Sequence, residues 1–257
     1  MLTIDPKTAE TPIVHKYLLG AIAPRPIAFA STIDIDGKLN LSPFSFFNAF
    51  SANPPILIFS PARRVRGNTT KHTLENVLAT NEVVISVVTS SMAQQVSLSS
   101  SDFEKGVSEF EKAGFTPIKS NMVKPYCVKE SPVNFECKVN EVIALGSEGG
   151  AGNLVICEVL AIHIDEAILD AENNIDPLKL DLVSRLGGNW YGSLYEITPN
   201  NGYWVIMNTD ATLIIPEAVP SSFEEYDLQY QLHAGNNLIS YPFSIDQPIE
   251  DAISSEY

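Results

Sequence analysis

The residues best suited to chemistry in this 257-residue chain lie between Ser60 and Thr73. Arg63, Arg64, Arg66, Lys71 and His72 gather there, interleaved with Ser60, Asn68, Thr69, Thr70 and Thr73. A compact anion such as a phosphate monoester is held by fixed positive charge, hydroxyls and backbone N–H groups. A helix start adds oriented donors and a partial positive charge. Leu74, Val77 and Leu78 recur at helical spacing just beyond the cluster, so a helix is expected over 70–79, with Thr70 or Thr73 as its N-cap. The cluster is a candidate anion site. The plain alternative is a solvated basic loop with an ordinary helix cap.

A second segment, Ser42-Pro43-Phe44-Ser45-Phe46-Phe47-Asn48-Ala49-Phe50, combines aromatic walls with a few polar groups. That mixture suits a flat heteroaromatic ring, although alternating aromatics are equally the mark of a packed core. A third, Arg185-Leu186-Gly187-Gly188-Asn189-Trp190-Tyr191, has two glycines that permit close backbone approach. Arg185 and Tyr191 could there frame a ligand or a subunit contact, and an ordinary turn explains the segment as well. There is no G-x-S-x-G elbow, H-E-x-x-H pair, Walker loop or G-x-G-x-x-G after a strand. His15, His72, His163 and His233 lack carboxylate or cysteine partners at ligand spacing, so no metal site is expected. His163 in the run IHID reads as structural, and Cys127, Cys137 and Cys157 read as buried or indifferent thiols.

The elements that must position these residues are mostly strands. Ile27 to Thr32, Leu39 to Phe47 and Ile56 to Ser60 are apolar runs, the first two joined by the turn signal Asp36-Gly37. Between the last two, the segment SFFNAFSAN reads as irregular and is stopped by Pro54-Pro55. Glu82 to Thr89 is β-branched, a second helical stretch surrounds Met92 to Leu98, and Ser101-Asp102 begins a polar connection. Asn134 to Leu145 and Leu154 to Ile164 are long strand-like runs joined by a glycine-rich turn. Strands outnumber helices and do not alternate with them, which excludes a doubly wound sheet and favours a closed or split antiparallel barrel.

The formal net charge of −15 argues against a nucleic-acid partner. No apolar run is long enough to cross a bilayer, and the first residues lack a signal-peptide pattern, so a cytoplasmic protein with no membrane partner is expected. Every Lys and Arg lies at or before Arg185, so the remaining acidic stretch marks a composition break. Two domains are expected, 1–198 and an acidic, β-rich extension 199–257. Within the latter, residues 202–208, 212–215, 228–232 and 237–241 read as short strands.

Taken together, these segments resemble the flavin reductase-like family of FMN-binding split β-barrels. The resemblance rests on ProArgProIleAla at 24–28, Ser31-Thr32, Asp36-Gly37, LeuSerProPheSerPhePheAsnAlaPhe at 41–50 and AsnProProIleLeu at 53–57. It continues in LysHisThrLeuGluAsn at 71–76, AsnLeuValIleCysGluVal at 153–159, IleAspPro at 175–177 and ArgLeuGlyGlyAsnTrpTyr at 185–191. It implies a mainly β, Greek-key split barrel with a few short helices, acting as a homodimer with FMN near the subunit interface. Ser45, Phe47 and Asn48 would line the flavin, Ser60, Arg64, Lys71 and Thr73 would hold its phosphate, and Arg185 and Tyr191 would close the site. The implied activity is an NAD(P)H:FMN oxidoreductase that passes hydride from NADH or NADPH to FMN, with a protein electron acceptor or a flavin-dependent monooxygenase as partner. The alternatives are a flavoredoxin-like electron carrier without nicotinamide turnover, and a non-enzymatic β-barrel binding protein. Two positions depart from the family pattern: His72 replaces a frequent aspartate, and Gly152-Asn153 stands where Gly-His is common. The extension instead resembles small β-modules of bacterial surface proteins.

Overall fold

A computed structural model describes residues 1–193 apart from 102, 104, 105 and 189, together with four strands at 202–207, 211–215, 228–232 and 235–240. The chain divides into two compact units, Met1–Ser193 and Leu194–Tyr257.

In the first unit, helix α1 (Thr11–Ala21) precedes strands β1 (Ala28–Ile33), β2 (Leu39–Phe44), β3 (Phe47–Ala52) and β4 (Pro55–Phe59). Helix α2 (His72–Thr80) and strand β5 (Glu82–Ser86) follow, then α3 (Ala93–Ser99) and α4 (Glu109–Ala113). The short strands β6 (Pro117–Ile118) and β7 (Cys127–Val128) lead to the long pair β8 (Val133–Ala144) and β9 (Asn153–Ile164). Helix α5 (Pro177–Leu180) and strands β10 (Val183–Arg185) and β11 (Tyr191–Ser193) complete the unit.

Seven strands form one antiparallel sheet in the order β2-β1-β5-β8-β9-β4-β3. Laid flat, its outer strands β2 and β3 would stand roughly 29 Å apart. Only Ser45 and Phe46 join them, and three Cα steps reach about 11 Å. The sheet must therefore roll until its edges meet. Among the described residues β2 and β3 share no ladder, so the barrel is rolled but split.

Packing follows from the pleat. Ala28 and Ala30 of β1 enter the interior cluster with Phe44, Leu57, Phe59, Val83, Ile85, Val139 and Val155. The alternate residues Ile27 and Phe29 enter an outer cluster with Met92 and Val96 of the α3 region and Phe110 and Ala113 of α4. Both faces of β1 are thus covered. Phe29 meets the Phe115 ring edge-on at 5.0 Å, an arrangement adding about 0.5–1.5 kcal/mol to area burial. Leu74 and Val77 of α2 pack into the same interior cluster.

Several expectations are corrected. Residues 47–52 are not irregular: they form β3, an edge strand whose residues after Phe47 are all exposed, so no burial alternation marks it. It pairs with β4 around a bulge at Phe50, and Pro55 is tolerated as the first residue of β4. Neither Thr70 nor Thr73 is the N-cap of α2; Lys71 occupies that position, with no side-chain capping bond to the helix. Helices α1, α4 and α5 are not among the elements expected from the sequence. In the second unit, β12 (Gly202–Met207) pairs with β15 (Gly235–Ser240), and β13 (Ala211–Ile215) pairs with β14 (Leu228–Leu232).

Candidate functional site

The loop from Ser60 to Lys71 is shaped by its own cations. Arg63 turns inward, its Nε and Nη2 donating to the side-chain and main-chain oxygens of Asn68, both at 2.6 Å. Asn68 and Gly67 both adopt positive φ, which lets the chain double back there. The loop is also tied to the turn before β9: Arg63 N–H donates to Ala151 O at 2.8 Å, and Gly150 N–H donates to Arg63 O at 3.0 Å. A Cβ on Gly149 would lie 2.8 Å from Val65 O, so this approach requires glycine.

With the loop held, Arg64 reaches back to the Thr70 carbonyl and to Thr69 Oγ1 at 3.4 Å. Arg64, Lys71, His72 and Thr73 line one shallow crevice with Asn40, Ser42, Ser100, Ser101, Phe103 and Glu109. It opens at the N-terminus of α2, whose first turn has no side-chain cap. Cations, hydroxyls and a helix start therefore converge, which is the donor set a phosphate monoester needs. Thr73 is buried and its Oγ1 accepts from Asn40 Nδ2 at 2.9 Å. Glu109 is buried at the rim of the crevice, where its Oε2 accepts from the Leu41 N–H at 3.0 Å. Burial pushes its carboxyl up, against the lowering effect of that bond.

Ser60 does not join this group. It is buried, and its Oγ accepts from Asn153 N–H at 3.1 Å. Asn153 in turn donates from Nδ2 to Pro61 O at 2.9 Å, so the residue standing where the family often has histidine is a buried tie between β9 and the loop. Of the aromatic segment, Phe47 packs against the interior cluster, Phe46 is exposed with the His15 ring edge-on at 6.4 Å, and Asn48 is exposed. Asn48 Oδ1 accepts from Ala49 N–H.

The remaining candidates meet at Arg25, which is not among the expected site residues. Arg25 is 5% exposed. Its Nε donates to Ser45 Oγ at 3.3 Å, Nη1 to the carbonyls of Leu19 (2.6 Å) and Ile22, and Nη2 to Leu186 O at 2.9 Å. Its backbone pairs with that of Arg185 through two hydrogen bonds of 2.9 and 2.8 Å. The Arg185 guanidinium lies 4.4 Å above the Tyr191 ring and donates to Gly188 O. Arg25 thus binds Ser45, the end of α1 and the Arg185–Tyr191 segment into one assembly. Gly20 and Gly187 allow the approach, since a Cβ on Gly187 would lie 2.9 Å from Gly20 Cα.

One cluster contradicts the expected isolation of the histidines. Cys127, Glu136 and His163 bring a ligand atom each to within 4.8 Å of one another. Glu136 is fully buried; its Oε1 accepts from Asn121 N–H at 2.8 Å and contacts His163 Nε2 at 2.6 Å. Its Oε2 accepts from Met122 N–H at 2.5 Å and Val123 N–H at 3.1 Å. Burial alone would raise this carboxyl, but the donors of Asn121 and Met122, then His163 and Val123, outweigh it and hold it below the usual range. All four acceptor positions are filled by the protein, so the cluster reads as an anchored carboxylate. All three cysteines are buried and free, and burial pushes the Cys137 thiol up to about 12.

Comparison with known proteins agrees with this geometry. The model of the flavin reductase like domain matches residues 20–179. An uncharacterized protein of Aquifex aeolicus (strain VF5) is 38% identical over 185 residues, covering 72% of this chain and 92% of its relative. Among solved structures, nitrilotriacetate monooxygenase component B from Bacillus cereus superposes with a TM-score of 0.71 at 32% identity, covering 76% of this chain and 96% of that one. A Shewanella frigidimarina NCIMB 400 protein described as a flavin reductase with a split barrel domain has a TM-score of 0.64 at 25% identity, covering 77% and 98%. The chain belongs to the flavin reductase-like family, and its first unit is a split-barrel, flavin-related oxidoreductase. No helix among the described residues is long and apolar enough to cross a membrane.

Proposed function

We propose that the protein is an NAD(P)H-dependent FMN reductase. The observation that carries this reading is the convergence of Arg64, Lys71 and Thr73 with Ser42 at the uncapped start of α2, in a chain whose net charge is −15. Two side-chain cations in one crevice of so acidic a protein suit a phosphate dianion. FMN ends in such a group, and its ring would supply the hydride-accepting chemistry when bound. Arg64 and Lys71 would bind that phosphate, helped by the Thr73 and Ser42 hydroxyls and the first N–H groups of α2. Ser45, Asn48 and the Phe47 edge would orient the ring, and Arg185 with Tyr191 would limit solvent at its margin.

The acting unit in this proposal is a homodimer. None of the residues of α1 is buried, and Ile13, Tyr17 and Leu18 are exposed on it. Leu160, Ile162 and Ile164 form an exposed apolar stripe on β9. An 11-residue helix is marginal without a packed face, so a second copy covering these surfaces is the economical arrangement. Dependence on a nicotinamide pool agrees with a cytoplasmic protein. By likeness to a monooxygenase component, the reduced flavin would serve a separate oxygenase or another protein acceptor. The test is steady-state oxidation of NADH and NADPH with added FMN or FAD. Turnover with FMN supports the reading, turnover with FAD alone reassigns the flavin, and tight flavin binding without turnover leaves an electron carrier.

A further inference from the structure

Arg25 carries a buried charge that no carboxylate among the described residues balances. Its hydrogen bonds go to three carbonyl oxygens and one hydroxyl, and among the described residues no carboxylate pairs with it. A buried guanidinium is ordinarily matched by an anion, because desolvation penalises an uncompensated charge. Burial lowers the Arg25 pKa, and the nearby Arg185 lowers it further. Arg25 and Arg185 are paired through their backbones, and Ser45 Oγ lies 3.3 Å from Arg25 Nε; the last carbonyls of α1 offset part of the Arg25 charge, and no carboxylate among the described residues offsets the rest.

The bond to Ser45 has a direction. A serine hydroxyl offers two lone pairs and one proton. Arg25 Nε–H occupies one lone pair, and Ser45 makes no other hydrogen bond among the described residues. Its proton remains available to a further acceptor.

We propose that Arg25 is a positioning residue of the flavin site: through Ser45, and together with Arg185, it favours the reduced, negatively charged ring over the oxidised, neutral one. This rests on the FMN reading above. Hydride transfer breaks a C–H bond of the reduced nicotinamide and forms an N–H bond on the ring, moving two electrons and one proton. The nicotinamide leaves with a positive charge and the ring gains one negative charge. An aligned hydroxyl and a preorganised positive field act on that added charge and little on the neutral ring.

The experiment is a potentiometric titration of FMN bound to the full-length protein and its variants, with the dissociation constant of oxidised FMN measured alongside. In Arg25→Gln, the ratio of reduced to oxidised affinity should fall about tenfold, lowering the two-electron midpoint by about 30 mV. Arg25→Lys, which keeps the charge, should recover most of that loss. Ser45→Ala should lower the midpoint, and adding it to Arg25→Gln should lower it little further, since the two act as one unit. A folded Arg25→Gln protein with an unchanged midpoint overturns the proposal, as do equal effects of Lys and Gln, which would mean stapling alone. If Arg25→Gln does not fold, Arg185→Gln removes the other half of the field, and an unchanged midpoint there overturns it too. Failure of the unmodified protein to bind FMN refutes the functional reading itself; binding with midpoints insensitive to these changes refutes only the role of Arg25.

Discussion

Replacing Glu136 by glutamine isolates the buried carboxylate that anchors residues 121–123. The side chain keeps its shape but loses its charge, and one acceptor atom becomes a donor. The amide will turn its NH2 toward His163, whose ring can present an acceptor, because the other orientation would oppose the N–H groups of Met122 and Val123 together. The N–H of Asn121 then faces a donor, which costs about 1–3 kcal/mol for an unsatisfied buried group. The two surviving bonds change from charge-assisted to neutral, at about 1 kcal/mol each. The sum is roughly 3–5 kcal/mol, or a fall in Tm of about 10 °C for a unit of this size. Thermal and urea unfolding measure it. Because the folded-state pKa is depressed, the wild-type stabilisation is complete above the unfolded carboxyl's value near about 4.3 and drains as pH falls through the folded value. The glutamine variant should lack that part of the acid slope. A variant within about 1 kcal/mol of wild type at pH 7, or one with an unchanged acid slope, would refute this account of Glu136.

Other substitutions probe the site directly. Lys71→Ala should weaken FMN binding about 10- to 100-fold, as expected for a lost charge-assisted bond, while Tm moves by less than about 4 °C; fluorescence titration with an unchanged Kd would remove Lys71 from the phosphate site. Gly187→Ala places a methyl 2.9 Å from Gly20 Cα and should cost about 1–3 kcal/mol, with weaker FMN binding as Arg185 and Tyr191 shift. Wild-type stability in that variant would show that α1 and the loop separate freely. Thr73→Val removes the shorter of the two bonds made by buried Asn40 Nδ2, leaving Thr32 Oγ1 at 3.3 Å, and should cost about 1–3 kcal/mol in urea unfolding; no loss would mean that the bond to Thr32 suffices.

Much of the barrel was legible in the residues because its signals are local. The runs that became β8 and β9 are long and apolar, and Asp36-Gly37 announces the turn between β1 and β2. That Arg64, Lys71 and Thr73 share a crevice was legible for a similar reason, since they are close in sequence. What escaped depends on contacts between distant segments. Strand β3 is exposed on an edge and shows no alternation, so only its pairing with β4 identifies it. Helix α1 buries none of its residues, and Pro12 in its first turn was its one clear signal. His163 meets Glu136 across the β8–β9 register, a relation that spacing along the chain cannot reveal. Arg25 was visible only as part of a proline-flanked motif; its partners at Leu19, Ser45 and Leu186 converge only in the folded chain. Ser60 adjoins the basic loop in sequence, and that its hydroxyl accepts from the start of β9 shows only in the folded chain.

The most direct test of the central claim is the absorbance spectrum of the purified protein mixed with FMN, followed without air as NADH or NADPH is added. The account predicts flavin that co-elutes with the protein, is displaced by excess inorganic phosphate, and loses its visible absorbance on adding one of the two nicotinamides. Protein that stays colourless with FMN in excess, or binding indifferent to phosphate, would contradict it.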